Sequence, residues 1–327
     1  MWTVLKNFWW LLKQAGKGFG KDKIPKLSAS LAYYTIFSLG PMLMIVIYLA
    51  GFFWGRQAVE GRIYDQVRDL VGNRAALQIQ EIIKNASIDG GNTLAVLFGS
   101  IMLFIGATTV FSEIQDSINV IWKLKAKAER GWLRMLMHRL LSFSLVVSLG
   151  FLLLVSLVIN ALVQALMEQL QQHFPQVTMV LFFIVNLLLM ACIIWLLFAT
   201  IFKLLPDAVI RLKDVAVGAL FTTVLFMLAR LGISFYIGRS DIGSTYGTAG
   251  SLVVLLLWVY FSAIILYFGA EFTKAYAVRF GSEIKPNSYA ITIQTVQVES
   301  EKKNVQENER SQEDTEKHLQ KKSKSGK

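Results

Sequence analysis

The sequence predicts an all-α integral membrane protein with six transmembrane helices, an N-terminal interfacial amphipathic helix and a short helical outer loop. Three observations carry that prediction. The 327 residues are 54% hydrophobic and only 17% charged, with a mean hydropathy of +0.50, whereas a soluble domain is about a quarter charged. The apolar residues gather into six blocks, each close to the ~20 residues that cross about 30 Å of hydrocarbon as a helix. The loops on one side are rich in Lys and Arg, while those on the other have few or, in the first-to-second loop, match five bases with the five acids Glu60, Asp65, Asp69, Glu81 and Asp89, as positive-inside topology expects.

The chain opens with "MWTVLKNFWWLLKQAGKGF", which interleaves Trp2, Phe8, Trp9 and Trp10 with Lys6, Lys13 and Lys17. That composition suits a helix lying in a membrane interface. Residues 1–30 are therefore expected to form an interfacial segment. The six spans are expected at 31–54, 93–113, 140–165, 178–203, 213–237 and 249–272, which makes 31–280 the transmembrane domain. Lys6, Lys13, Lys17, Lys21, Lys23 and Lys26 precede the first span, and Lys123, Lys125, Lys127, Arg130, Arg134 and Arg139 lie between the second and third. The third-to-fourth loop has no Lys or Arg, and the fifth-to-sixth has only Arg239. Both termini are thus expected in the cytoplasm. The net charge of +11 is then inner-face charge directed at lipid, with no basic soluble module for nucleic acid.

The long outer loop, about residues 56–91, has Ile63, Val67, Leu70 and Val71 at helical spacing, which predicts short amphipathic helices capping the outer face. Residues 281–327 mix acids, bases, Gln, Ser and Asn with Tyr289 as their one aromatic. A polar, disordered cytoplasmic tail is expected. Cys192 is the sole cysteine, so no intrachain disulfide can form.

Polar groups inside hydrocarbon are costly and so mark candidate sites. Helical rise places Arg230, Asn160 and Asn186 at one outer-leaflet level, with Ser234 one turn from Arg230. The expected role is a polar cavity whose guanidinium holds an anionic group such as a lipid phosphate. The competing reading is that Arg230 snorkels to the interface or pairs with Asp241. A second layer lies near the inner face: Glu113 and Asp116 end the second span, Glu271 ends the sixth, and Tyr33 and Tyr34 open the first. These carboxylates either carry protons or a cation if buried, or are salt-bridged interface anchors.

In "SLGPML", Gly40 and Pro41 fall near mid-membrane, where proline kinks or breaks a helix. In "DIGSTYGTAGS", Gly243, Gly247 and Ser251 recur every four residues. They form a small-residue stripe for close helix packing if that segment is helical, and a flexible entry to the sixth span otherwise. The histidines, His138, His173 and His318, are scattered, and no HExxH, GxSxG or P-loop pattern occurs. No catalytic residue, metal site or cofactor is expected.

Four stretches, "SASLAYYTIFSLGPML", "TTVFSEIQDSINVIWK", "LPDAVIRLKDVAVGAL" and "YGTAGSLVVLLLWVYFSAIILYFGAEF", together resemble the YihY/BrkB family of bacterial inner-membrane proteins over roughly residues 5–280. The resemblance implies six helices and the inner membrane, and it supplies no agreed site. An old ribonuclease label in that family finds no clustered His and Asp here to support it. The function expected is transport or lipid handling, with membrane lipids as partners and an anionic lipid or ion as substrate. The alternative is a non-transporting envelope scaffold or sensor.

Overall fold

The structure is a computed structural model. It describes residues 2–38, 77, 93–126, 175–239, 250–281, 283–287 and 290–293. Gly40, Pro41, Asn160, Gly243, Gly247 and the predicted span at 140–165 lie outside the described residues, as does all of the predicted outer loop except Leu77.

Helix α1 (Trp2–Lys21) has three faces, because its apolar and basic residues repeat at helical spacing. Leu11 and Ala15 are buried against Phe272. Lys6, Lys13 and Lys17 are exposed on a second face. Trp2, Leu5 and Trp9 form a third, exposed by 88%, 71% and 71%. The chain then turns through Lys23, whose φ of 53° is left-handed, and enters α2, helical from residue 24 to 38. Pro25 stands in the first turn of α2, where a missing N–H costs nothing. The corner made by Lys23 and Pro25 starts this helix seven residues before the sequence-predicted span at 31. Residues 24–30 therefore belong to α2 rather than to the interfacial segment.

Among the described residues, four long helices follow: α3 (Thr93–Ile121), α4 (Pro175–Leu204), α5 (Leu212–Arg239) and α6 (Gly250–Phe280). They coincide with the predicted second, fourth, fifth and sixth spans, and α3 and α6 run on by two further turns. Among the described residues, three segments are long and apolar enough to cross a membrane: Ile184–Leu204, Leu212–Ile233 and Leu252–Phe280, with mean hydropathies of 2.6, 1.9 and 2.4. These helices are apolar all round. Leu187, Leu188 and Leu196 on α4, and Leu228 and Leu231 on α5, point outward and exposed. Such faces are stable in hydrocarbon and not in water.

Helix α5 packs between α4 and α6, while α6 also receives α3 and α1. The α5–α6 contact is reciprocal. Thr273 sits against Gly218, Thr222 sits against Gly269, and a Cβ at either glycine would collide with the facing threonine. Each threonine hydroxyl donates to a carbonyl of its own helix, Thr222 to Gly218 and Thr273 to Gly269, both at 2.7 Å. The hydroxyls are thereby satisfied, and the backbones approach closely.

One end of the unit gathers the C-termini of α3, α4 and α6 with the start of α5. There β1 (Leu124–Ala126) pairs antiparallel with β4 (Ala290–Thr292), and β2 (Ala208–Val209) pairs with β3 (Lys285–Pro286). The compact unit extends through Thr292. Lys285–Pro286 and Ala290–Thr292 are thus stitched to the loops after α4 and α3. The reason is that the exposed loop edges offer backbone donors and acceptors that these residues satisfy. The core concentrates at the same end, with Ile118, Ile121, Phe202, Ile210, Val215 and Tyr267 essentially inaccessible.

Candidate functional site

The strand-bearing end holds a charged cluster drawn from three elements. Asp22, at the corner after α1, pairs with Lys123, which follows α3 with a left-handed φ of 58°. Lys274 on α6 lies 3.9 Å from the Asp22 carboxylate and 3.4 Å from Glu271 Oε2, and it donates to the Ile121 carbonyl at 2.6 Å. The Glu271 side chain rests against Gly18, so any larger residue there would displace it. Burial alone would push the Asp22 carboxyl up. Hydrogen-bonding contact with Glu271 and the ammonium groups of Lys123 and Lys274 outweigh it and hold the carboxyl below its ordinary value. The cluster borders a cavity of about 350 Å³ that Trp10, Lys17 and Lys21 also line.

A second buried carboxylate is satisfied differently. Asp207, in the turn after α4, accepts from Gln115 Nε2 at 2.8 Å and Asn119 Nδ2 at 2.9 Å. Its own N–H donates to Asn119 Oδ1 at 2.9 Å, and its carbonyl accepts from the Asn287 N–H at 3.0 Å. In "SEIQDSIN", the amides Gln115 and Asn119 therefore reach a partner, while Glu113 is half-buried and Asp116 exposed. Of the predicted inner layer, Glu271 joins the ion pairs around Asp22. Tyr33 is exposed and packs edge-on with Tyr34 and at a tilt with Phe37.

In the predicted outer layer, Arg230 Nη1 donates to Met190 Sδ at 3.0 Å across the α4–α5 seam. Asn186, one turn before Met190 on α4, is exposed. Ser234 follows Arg230 by one turn on α5, and Ser251 lies in the first turn of α6.

A groove of about 670 Å³ opens between α1, α5 and α6. Phe8 and Leu11, Leu220 and Val224, and Phe272 and Tyr276 line it from the three helices. Phe221 and Phe272 stack at 3.8 Å between ring centres, with Phe8 edge-on to Phe221 at 6.2 Å, and these rings form its wall. A sequence signal existed for this groove: Val217, Leu220, Val224 and Leu228 repeat at helical spacing. On a helix that is apolar everywhere, that repeat does not stand out. Among the described residues, no three His, Cys, Asp or Glu side chains converge as a metal site would need.

Helices apolar on every side, joined at one end by a polar and strand-stitched cap, define an integral membrane protein built of α-helices. Residues 15–291 match the family described as virulence factor BrkB, and the chain belongs to that family. It is similar to a UPF0761 membrane protein of Vibrio campbellii, 27% identical over 263 residues that make up 79% of each chain. A UPF0761 membrane protein of Pseudoalteromonas atlantica is 26% identical over 272 residues, 82% of this chain and 86% of the relative. One from Aeromonas salmonicida is 27% identical over 260 residues, 78% and 84% respectively. No solved structure matches.

Proposed function

We propose that this protein handles lipid in a translocase-like way, without catalysing a chemical reaction, in the bacterial inner membrane with both termini in the cytoplasm. The observation that carries the reading is the apolar groove between α1, α5 and α6. Its α5 wall, with Leu220 and Val224, is exposed and belongs to a segment apolar enough to span the membrane. A groove that opens sideways from a spanning helix meets acyl chains before it meets water.

The orientation draws on charge. Lys17, Lys21, Lys123, Lys125, Lys203, Arg211 and Lys213 all lie at or near the strand-bearing end, and such enrichment favours the cytoplasmic side. In this reading the exposed Trp2, Leu5 and Trp9 stripe anchors α1 in the inner leaflet. The Asp22–Lys123–Lys274 cluster holds the C-terminal end of α1 against α3 and α6. Arg230 and Asn186 are then the polar groups toward the opposite leaflet.

The test is lipid crossing in proteoliposomes carrying a fluorescent phospholipid, comparing wild type with Val224→Trp and Arg230→Ala. Tryptophan at 224 fills the groove from its exposed wall, and crossing should slow at least about tenfold, a loss of roughly 1.4 kcal/mol. Arg230→Ala should slow it too if the outer layer receives the headgroup. No crossing by wild type, or crossing unchanged by Val224→Trp, sinks the reading.

A further inference from the structure

The two ends of the groove differ chemically. Along α5 it runs from Val217 to Leu228, which at 1.5 Å per residue is about 16 Å. That is the depth of one leaflet of a hydrocarbon core about 30 Å thick. At the shallow end stands Arg279, in the last turn of α6. Its Nη2 donates to Asn7 Oδ1 at 3.1 Å, and its guanidinium lies 4.1 Å from the centre of the Trp10 ring and 5.2 Å from that of Phe280. Asn7 and Phe280 are themselves groove-lining residues. Lys213, exposed, precedes Val217 by four residues and so shares the groove face of α5.

The mouth of the groove is therefore cationic. Among the described residues Arg279 has no ion-pair partner, and no carboxylate lines the groove. Asp214, the neighbouring acid on α5, is buried beside Gly281. Stacking on Trp10 fixes the guanidinium plane in advance, which favours a two-point contact with phosphate oxygens. A zwitterionic headgroup would bring an ammonium to a rim that offers it two cations and no anion.

We propose that the groove binds an anionic phospholipid, with one acyl chain lying along α5 from Val217 to Leu228 and the phosphate held by Arg279 with Lys213. This rests on the lipid-handling reading and narrows it to a headgroup class. A chain without a phosphate gains only the apolar contact, and a phosphate without a chain gains only the rim.

The experiment uses the full-length protein, purified and delipidated in a non-ionic detergent, with bound lipid counted by native mass spectrometry. Phosphatidylglycerol, phosphatidylethanolamine, diacylglycerol and free glycerol phosphate are added separately. Phosphatidylglycerol should bind about tenfold or more tightly than phosphatidylethanolamine, the scale of one charge-assisted contact. Arg279→Gln should abolish that preference, with phosphatidylglycerol binding falling further than phosphatidylethanolamine binding. Arg279→Lys should keep part of the preference, and Val224→Trp should weaken both phospholipids. Equal binding of the two by wild type overturns the proposal, as does a preference that survives Arg279→Gln. Glycerol phosphate binding as tightly as the lipid overturns the acyl-chain assignment. If the headgroup preference holds but no lipid crosses a bilayer, the site stands and the lipid-handling reading fails. If lipid crosses with no headgroup preference, the reading stands and the site fails.

Discussion

Replacing Gly269 with alanine tests whether the α5–α6 clasp sets the width of the groove. Gly269 faces Thr222, whose hydroxyl is pinned to the Gly218 carbonyl at 2.7 Å. An added Cβ would stand 2.7 Å from Thr222 Cγ2 and 2.9 Å from its Cβ, with Oγ1 closer still. Carbon atoms rest about 3.5–4.0 Å apart, so the helices must separate by roughly 1 Å or Thr222 must leave its rotamer. Overpacking of this kind costs about 1–3 kcal/mol. The better helix propensity of alanine returns up to about 1 kcal/mol, leaving a net loss near 1–2 kcal/mol. Gly232, on α5, supplies the control, because a Cβ there meets nothing within 4 Å. Gly232→Ala should therefore stabilise by about 0.5–1 kcal/mol. The assay is thermal unfolding in detergent followed by tryptophan fluorescence. For a chain of this size the difference between the two variants is several degrees, at about 2–4 °C per kcal/mol. Adding Thr222→Ala to Gly269→Ala removes Oγ1 and Cγ2 and should recover most of the loss. Equal melting temperatures for Gly269→Ala and Gly232→Ala would show that the close contact does not constrain the helices.

The polar cap makes two further predictions. Asp207→Ala leaves the amides of Gln115 and Asn119 without their shared acceptor in a buried site, a cost of about 2–4 kcal/mol; Asp207→Asn keeps one acceptor oxygen and should lose less on the same melting assay. Asp22→Asn removes the carboxylate that Lys123 and Lys274 share, and because their side chains are 30% and 25% exposed and Lys274 keeps Glu271, the loss should fall near 1–3 kcal/mol, below that of a fully buried pair. Since the native Asp22 carboxyl is held below its ordinary value, the stability it contributes is complete above the ordinary carboxylate range and is lost as pH falls through the lowered native value. Wild-type melting should therefore decline in acid more steeply than that of Asp22→Asn, and parallel curves would remove Asp22 from the pH response.

The membrane class was legible because a spanning helix is a local property. Twenty consecutive apolar residues must cross hydrocarbon whatever they later touch, and α4, α5 and α6 lie where their apolar blocks predicted. The BrkB-family resemblance, carried by motifs from "SASLAYYTIFSLGPML" to "YGTAGSLVVLLLWVYFSAIILYFGAEF", is likewise borne out by the family match over residues 15–291. Small-residue spacing was legible as a type of signal and ambiguous as to place. The stripe at Gly243, Gly247 and Ser251 has the same four-residue period as Gly218–Thr222 and Gly269–Thr273, the pairs that mesh α5 with α6. Period alone does not say which stripe meets a partner.

The sites depended on long-range closure. Asp22 and Lys123 are 101 residues apart, and Asn119 and Asp207 are 88 apart. In the chain each looks like an ordinary interfacial charge or amide. Burial makes them obligatory partners, and burial exists only once the helix ends converge. The same convergence places Arg279 beside Asn7, 272 residues distant, at the mouth of a groove that no single helix contains. Hydropathy, summed along the chain, determined by itself that this is a helical membrane protein and where α4, α5 and α6 lie. Only the tertiary structure decided which polar groups meet and where an acyl chain has room, because both depend on the helices that pack side by side and not on the order in which they follow one another.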